Sequence, residues 1–205
     1  MEVHSAKQRI LDRAFVVGGL YGLGALTIGR LAADLQMSKA GVHGLFGSKE
    51  ALELATVRQA REVFVRDIVR PAETAPDGVP RLWAMTTTLT IYSSETGLHG
   101  GDFWVTVANE YDSRSGPVRD AIEASMSWWM RRLENLISAG VEAGQLTPCD
   151  PAQLAFEFQA LFDAGGHMYR LHHDPKAPLR TRTAILHRLA QARGPQFPNL
   201  TESDV

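Results

Sequence analysis

Apolar residues recur along most of the chain at intervals of three and four, the spacing that places them on one face of an α-helix. In the first such segment, over residues 7–20, they are Ile10, Leu11, Ala14, Phe15 and Val17. The longest segment, 118–143, repeats apolar residues at alternating steps of four and three, as a helix packed along its whole length does. No stretch shows the sustained polar and apolar alternation of a half-buried strand. The pattern predicts an all-α fold with about nine helices.

Glycine, proline and helix-capping residues divide this pattern into separate helices. The predicted helices cover residues 7–20, 28–35, 39–46, 48–69, 79–94, 102–111, 118–143, 151–172 and 179–192. The clearest linker-like stretch contains Pro71, Pro76, Gly78 and Pro80. Residues 195–205 include two prolines and several polar residues, and we expect them to form a loose tail.

Residues 27–49 hold two short helical patterns separated by a tight turn. Thr27 opens the first and Ser38 opens the second, and the hydroxyl of each can accept the free N–H groups at a helix start. Gln36 and Met37 lie between the two patterns. Two short helices in this order form a helix-turn-helix, which occurs in DNA-binding proteins and also in helical proteins that never touch DNA.

The second of these helices has the composition of an element that reads DNA. Its two glycines each cost about 1 kcal/mol relative to alanine, whereas small residues on an exposed face let a backbone lie close to another surface. In a DNA-binding helix-turn-helix this helix enters the major groove, and neighbouring helix starts hold phosphates. The predicted DNA-contacting residues are Thr27, Ser38, Lys39, Ala40, Gly41, His43, Gly44 and Lys49.

The charge distribution favours the same interpretation. The 205 residues have a formal net charge of -2, but residues 1–52 hold six Lys and Arg against four Asp and Glu, which leaves fifteen against nineteen in the rest. The modest basic excess coincides with the helix-turn-helix, as the electrostatic footprint of a DNA-binding head should. We predict a DNA-binding domain over residues 1–52 and a helical domain over 53–194.

Several other classes of protein are not expected. No apolar run approaches the roughly 18 residues of a membrane span, and the N-terminus lacks the apolar segment of a signal peptide. The single cysteine, Cys149, cannot form an intramolecular disulfide, so we expect a cytoplasmic protein. The sequence contains no G-x-S-x-G, no H-E-x-x-H and no phosphate-binding glycine loop, so we predict neither an enzyme nor a cofactor.

One histidine-rich segment invites a metal-binding interpretation. Asp163 and His167 are four residues apart and share a helical face, with His172 and His173 near the end of the same helix. A third ligand at clean spacing is missing, and the negative end of a helix favours histidine without any metal. We predict no metal site.

The chain reads R-I-L-D-R-A-F, then T-I-G-R-L-A-A-D-L-Q-M-S-K-A-G-V-H-G-L-F, and then G-S-K-E-A-L. Over about residues 7–54 this order of helix, Thr-opened helix, Ser-capped helix ending in Phe, and Ser-Lys-Glu resembles the TetR-like transcriptional regulators without a gap. The family usually places at the position of His43 a tyrosine that reaches a phosphate, so the role of His43 stays open.

The resemblance implies a homodimer that places two recognition helices in successive major grooves of a near-palindromic operator. Family members dimerise through their last two long helices, which here are about 151–172 and 179–192. Their C-terminal domains bind small effectors, and an effector that favours the DNA-incompetent arrangement releases the operator, with the helix over 48–69 transmitting the change. Repression is the family default.

Aromatic residues crowd the middle of the chain, and we expect most of them to be core. We also predict a largely apolar pocket with a few hydrogen-bonding groups for a small apolar or aromatic effector. The residues predicted to line it are Trp83, Thr86, Thr90, Phe103, Trp104, Trp128, Phe158 and Phe162. Two alternatives stay open, a helical interaction protein with a vestigial helix-turn-helix and an all-α enzyme.

Overall fold

The computed structural model describes residues 5–95 and 103–200, and within these ranges it contains nine long helices and no β-strand. The prediction of an all-α fold is confirmed. In chain order the helices are α1 (Ala6–Tyr21), α2 (Ile28–Leu35), α3 (Lys39–Phe46), α4 (Lys49–Phe64), α5 (Val79–Glu95), α6 (Phe103–Tyr111), α7 (Pro117–Glu142), α8 (Pro151–His172) and α9 (Ala177–Gln191). Along the described part of the chain, no helix is both long and apolar enough to cross a membrane.

Local signals explain most of the helix boundaries. The Thr27 hydroxyl accepts the N–H of Arg30 at 3.1 Å, and the Asp150 carboxylate accepts the N–H of Ala152 at 2.9 Å. Such caps typically contribute about 1 kcal/mol each. α9 begins two residues earlier than predicted because Pro178 lies in its first turn, where a missing N–H costs no hydrogen bond.

α4 does not stop at its regular end. It continues through a π-helical stretch, Val65–Val69, and a last α-helical turn, Arg70–Ala72. π-helical insertions are rare in proteins, and those that do occur often lie at functional sites. The chain passes from the first of two compact units to the second between Val63 and Phe64. The irregular stretch directly follows this boundary in the sequence.

The first compact unit comprises residues 1–63 and 98–126. Its core joins the apolar faces of the N-terminal helices to α6 and the start of α7. The fully buried side chains include Ile10, Val17, Leu31, Val42, Leu52 and Val107. Phe103 stacks on Phe15 with ring centroids 5.4 Å apart. The packing therefore places α6 with the N-terminal helices, and the boundary predicted at residue 52 stays a prediction.

The second compact unit comprises residues 64–97 and 127–205. Its core is formed by α5, the second half of α7, α8 and α9, and includes Leu82, Trp83, Met85, Leu133, Ile137, Phe158, Ile185 and Leu189. α8 and α9 approach so closely that a Cβ atom at Gly165 would collide with Thr181. The Gly165 backbone is thus used for packing within the chain.

The tail is packed over residues 195–200, which corrects the expectation that it is loose. The N–H of Gly194 donates to the carbonyl of Gln145, and the N–H of Gln196 donates to the carbonyl of Gly144, each at 2.9 Å. Phe197 and Leu200 lie against the core of the second unit. Free carbonyls in the turn after α7 and an uncovered apolar surface hold the tail, despite its prolines. Residues 201–205 lie outside the described part of the chain.

Candidate nucleic-acid interface and effector site

The turn between α2 and α3 has a fixed backbone. Gln36 adopts the left-handed conformation with φ 55°, and the N–H of Met37 donates to the carbonyl of Ala32 at 2.8 Å. The Ser38 hydroxyl then accepts the N–H of Gly41 at 3.0 Å and starts α3. These contacts confirm the predicted tight turn and both predicted caps.

α2 is also pinned to the helix before it. The guanidinium of Arg13 on α1 lies 2.7 Å from the Asp34 carboxylate on α2. On the inner side, Leu31 and Ala32 of α2 and Val42 of α3 are buried in the core of the first unit. The position of α3 is therefore set by packing on one side and by the turn at its start.

All eight residues predicted to contact DNA are exposed to solvent. Val42 is the fully buried residue of α3, and Phe46 is half buried. Lys39 and His43 are four residues apart and share the outer face. No atom lies within 4 Å of the position that a Cβ would take at Gly44. The outer surface of α3 is thus open to the approach of a second molecule.

Lys49 has partners inside the protein that the sequence did not reveal. Its Nζ donates to the carbonyl of Gly24 at 3.1 Å and lies 3.6 Å from the carboxylate of Glu53. About half of the side chain is exposed. The ammonium joins the start of α4 to the turn before α2, and its predicted contact with a DNA phosphate stays a prediction.

Glu110, on α6, clasps the turn that leads into the helix-turn-helix. Its carboxylate accepts the N–H of Leu23 at 2.6 Å and the N–H of Gly24 at 2.9 Å, while the guanidinium of Arg114 lies 3.2 Å away. Gly22 has φ +81°, and a Cβ there would collide with the same carboxylate. The sequence does not single out Glu110, because its only local signal is the four-residue spacing from Arg114.

Two further titratable groups lie beside this clasp. Burial raises the pKa of the Glu53 carboxyl, and the nearby Lys49 ammonium opposes that increase. Burial also raises the pKa of the Tyr111 phenol to about 12, with the carboxylates of Glu53 and Glu110 adding to the effect and Arg114 opposing it. The phenol therefore stays protonated, and it can donate a hydrogen bond to Glu53.

The residues predicted to line an effector pocket fall into three places. Trp83, Thr86, Thr90, Phe158 and Phe162 belong to the second unit, where Trp83 and Phe158 are buried in one core and Phe162 packs against it. Phe103 and Trp104 belong to the first unit, where their rings meet edge to face with centroids 5.3 Å apart. Trp128 lines a cleft on the surface of the second unit. Their common role in binding an effector stays a prediction.

The threonines on α5 are largely occupied by their own helix. The Thr86 hydroxyl donates to the carbonyl of Leu82 at 2.9 Å, and the Thr90 hydroxyl donates to the carbonyl of Thr86 at 3.0 Å. These bonds satisfy the hydroxyl protons and leave oxygen lone pairs as acceptors. The Thr90 oxygen uses one of them to accept a hydrogen bond from Arg182 of α9 at 3.3 Å.

Several polar atoms between α5 and α9 are buried without a hydrogen-bond partner among the described residues. They are the indole Nε1 of Trp83, the hydroxyl of Thr87 and the Nε of Arg182. Trp83 and Thr87 are one helical turn apart on α5. An indole N–H and a guanidinium N–H can only donate, so Trp83 and Arg182 each have a buried donor without an acceptor.

The histidine-rich segment shows no arrangement for a metal. The rings of His167 and His172 have centroids 6.1 Å apart. Asp163 accepts a hydrogen bond from the side-chain amide of Gln159 at 2.8 Å. Over residues 5–95 and 103–200, no group of three or more His, Cys, Asp or Glu side chains is close enough to hold an ion.

Residues 78–185, more than half of the chain, match the family model described as tetracyclin repressor-like, C-terminal domain. A TetR transcriptional regulator from Chloroflexus aurantiacus has the same fold with a TM-score of 0.84 at 21% identity, covering 92% of this chain and 96% of that one. A transcriptional regulator from Saccharomonospora viridis in complex with choline has a TM-score of 0.79 at 21% identity, covering 93% of this chain and 98% of that one. AibR in complex with isovaleryl coenzyme A and operator DNA has a TM-score of 0.69 at 20% identity, covering 87% of this chain and 95% of that one. No curated protein matches the chain.

Proposed function

The chain belongs to the TetR-like family of transcriptional regulators, and on that premise we propose that it is a ligand-responsive repressor that binds its operator as a homodimer. The observation that carries this proposal is the exposed outer face of α3. That face presents Lys39 and His43, while Val42 anchors the inner side. The proposal includes no catalytic activity, and binding to an operator would take place in the cytoplasm.

α3 is the recognition helix of this proposal. Its N-terminal residues would meet base edges and phosphates in the major groove, and the side-chain-free surface at Gly44 would let the backbone approach the groove wall. The hydroxyls of Thr27 and Ser38 accept backbone N–H groups as helix caps and keep their own O–H protons, so they could donate to nearby phosphates together with backbone N–H groups and lysines.

The effector would bind within the second unit, beside the core that contains Trp83 and Phe158. The unpartnered donors of Trp83 and Arg182 support an effector with an apolar body and at least one hydrogen-bond acceptor, such as a carbonyl or carboxylate. Solved structures with this fold hold choline in one case and isovaleryl coenzyme A in another. Binding would release the operator by no more than the difference in effector affinity between the two states.

The proposal is tested by binding to DNA from upstream of the protein's own gene and of its neighbour, measured by fluorescence anisotropy over a range of salt concentrations. We expect tight binding to one fragment, with an affinity that falls steeply as salt rises. Lys39→Ala should reduce the salt slope by about 0.9 if Lys39 holds a phosphate. If it reads a base, the preference among operators should change instead, by about 1–3 kcal/mol.

Lys176→Ala is the matched control, because Lys176 is exposed and lies in the second unit. The salt slope of its DNA binding and its preference among operators should equal those of the wild type. A homodimer that binds every DNA fragment equally weakly would contradict the proposal and favour the alternative of a helical interaction protein with a vestigial helix-turn-helix.

A further inference from the structure

A cleft of about 310 Å³ opens on the surface of the second unit, between α7 and the residues at the start of α5. It is lined by Asp77, Arg81, Trp128, Arg131, Arg132, Asn135 and Leu136. α7 supplies five of these at positions that follow one helical face. A cleft of this size is at the lower end of the range for small-molecule sites.

Positive charge dominates the lining. Arg81 lies 3.3 Å from the carboxylate of Asp77 and also donates to a backbone carbonyl, and Arg132 lies 2.9 Å from the carboxylate of Glu73. Arg131 has no hydrogen bond or ion pair with any described residue, and it is exposed. Three guanidinium groups thus face two carboxylates, which leaves a net positive charge.

Two of the arginines have donors available. The Nε of Arg132 is buried without a hydrogen-bond partner among the described residues, although the same side chain forms the ion pair with Glu73. All five N–H groups of Arg131 are unengaged by the described part of the chain. A guanidinium with free donors in a recess is suited to a carboxylate or phosphate group, whose oxygens match its fork.

The cleft also has an aromatic wall. The guanidinium of Arg132 lies 6.0 Å from the ring centroid of Trp128, which is half buried. The side-chain amide of Asn135 adds both a donor and an acceptor at the rim. An aromatic face beside guanidinium groups can hold the flat part of a ligand while the arginines hold its charge.

We propose that this cleft binds a small organic anion, a planar molecule with a carboxylate or phosphate group. Arg131 and Arg132 hold the anionic group, and the planar part lies against Trp128. The site is separate from the effector region between α5 and α9, so it provides a second ligand site on the regulator. The proposal does not depend on the operator or on the effector.

The test is isothermal titration calorimetry on the full-length protein with phenyl phosphate, benzoate and inorganic phosphate as separate probes. We expect saturable binding of one or both aromatic anions, and binding of inorganic phosphate that is weaker by roughly tenfold or more, because it lacks the aromatic ring. Inorganic phosphate binding as tightly as phenyl phosphate would overturn the role of Trp128. Heats that do not saturate with any probe would overturn the site.

Arg131→Gln is the variant of choice, since the exposed side chain has no internal partner whose loss would affect folding. This substitution should weaken binding of the aromatic anion by roughly tenfold or more, because charge-assisted hydrogen bonds are lost. Arg58→Gln, at an exposed arginine on α4, is the control and should bind like the wild type. Equal affinity in Arg131→Gln and wild type would overturn the proposal. So would a loss of DNA affinity in Arg131→Gln with no change in anion binding, because the arginines would then belong to a DNA-binding surface.

Discussion

Gly44 is the residue of α3 at which a methyl group would disturb the protein least and a bound DNA most. Its surroundings within the chain are empty to 4 Å, and the helix around it would gain from a residue with a higher helix propensity. Gly41 differs, because a Cβ there would lie only 3.0 Å from the hydroxyl of Ser38 that caps the helix. A substitution at Gly44 therefore tests the approach of DNA, whereas a substitution at Gly41 would also disturb the helix cap.

We predict that Gly44→Ala raises the free energy of unfolding by about 0.5–1 kcal/mol and lowers operator affinity by roughly tenfold. The gain follows from helix propensity, and the loss follows from a Cβ placed between the backbone and the groove. Urea denaturation and anisotropy on the same preparation measure both effects. A more stable protein with unchanged affinity would show that DNA does not approach α3 at Gly44.

At the scale of elements, α6 links to the helix-turn-helix through contacts that are distant in sequence. The carboxylate of Glu110 holds two backbone N–H groups of the turn before α2, and the Thr106 hydroxyl donates to the carbonyl of Gly19 at 2.9 Å. Movement of α6 would therefore pull on the turn that sets the position of α2. This gives the first unit a physical link between α6 and the DNA-binding helices.

We predict that Glu110→Gln lowers the free energy of unfolding by about 1–3 kcal/mol, because an amide cannot accept both N–H groups as a carboxylate does. Operator affinity should fall as well, since the turn leading to α2 loses its anchor. Thermal unfolding and anisotropy measure the two effects. Glu142→Gln, at an exposed site on α7, is the control and should match the wild type. Wild-type stability in Glu110→Gln would show that the clasp contributes nothing.

The elements themselves were largely predictable from the sequence, but their partners were not. Caps at Thr27 and Ser38 act over three residues, so a local pattern is enough to place the helices that they start. The clasp at Glu110 joins residues more than 80 positions apart, and no periodicity records such a pairing. The sequence likewise predicted Phe103 as a residue lining an effector pocket and did not show that it would stack on Phe15 of α1.

At the scale of the whole molecule, α8 and α9 carry four large apolar side chains that are exposed to solvent. Phe156 is 62% exposed and Leu171 is 63% exposed, and Met168 and Leu179 are also exposed. Large apolar side chains gathered on two helices mark a surface for association. The same helices were expected from the family resemblance to form the homodimer, and we propose that this surface is the dimer interface.

We predict that Phe156→Glu shifts the protein from dimer to monomer and reduces operator affinity, because each monomer then binds one half-site alone. Sedimentation velocity gives the oligomeric state. Leu20→Glu is a control that adds the same charge at an exposed apolar residue on α1, and it should remain dimeric. A dimeric Phe156→Glu protein would place the interface elsewhere.

The packed tail has a practical consequence for any recombinant form of the chain. Truncation before Gly194 would remove Phe197 and Leu200 from the core of the second unit and would leave the carbonyls of Gly144 and Gln145 without their N–H partners. Replacing the residues after Gly194 with a purification tag would keep the bond from Gly194 to Gln145 but would still remove Phe197, Leu200 and the bond from Gln196 to Gly144. Tags and fusion partners are better joined after residue 205, where they leave these contacts in place.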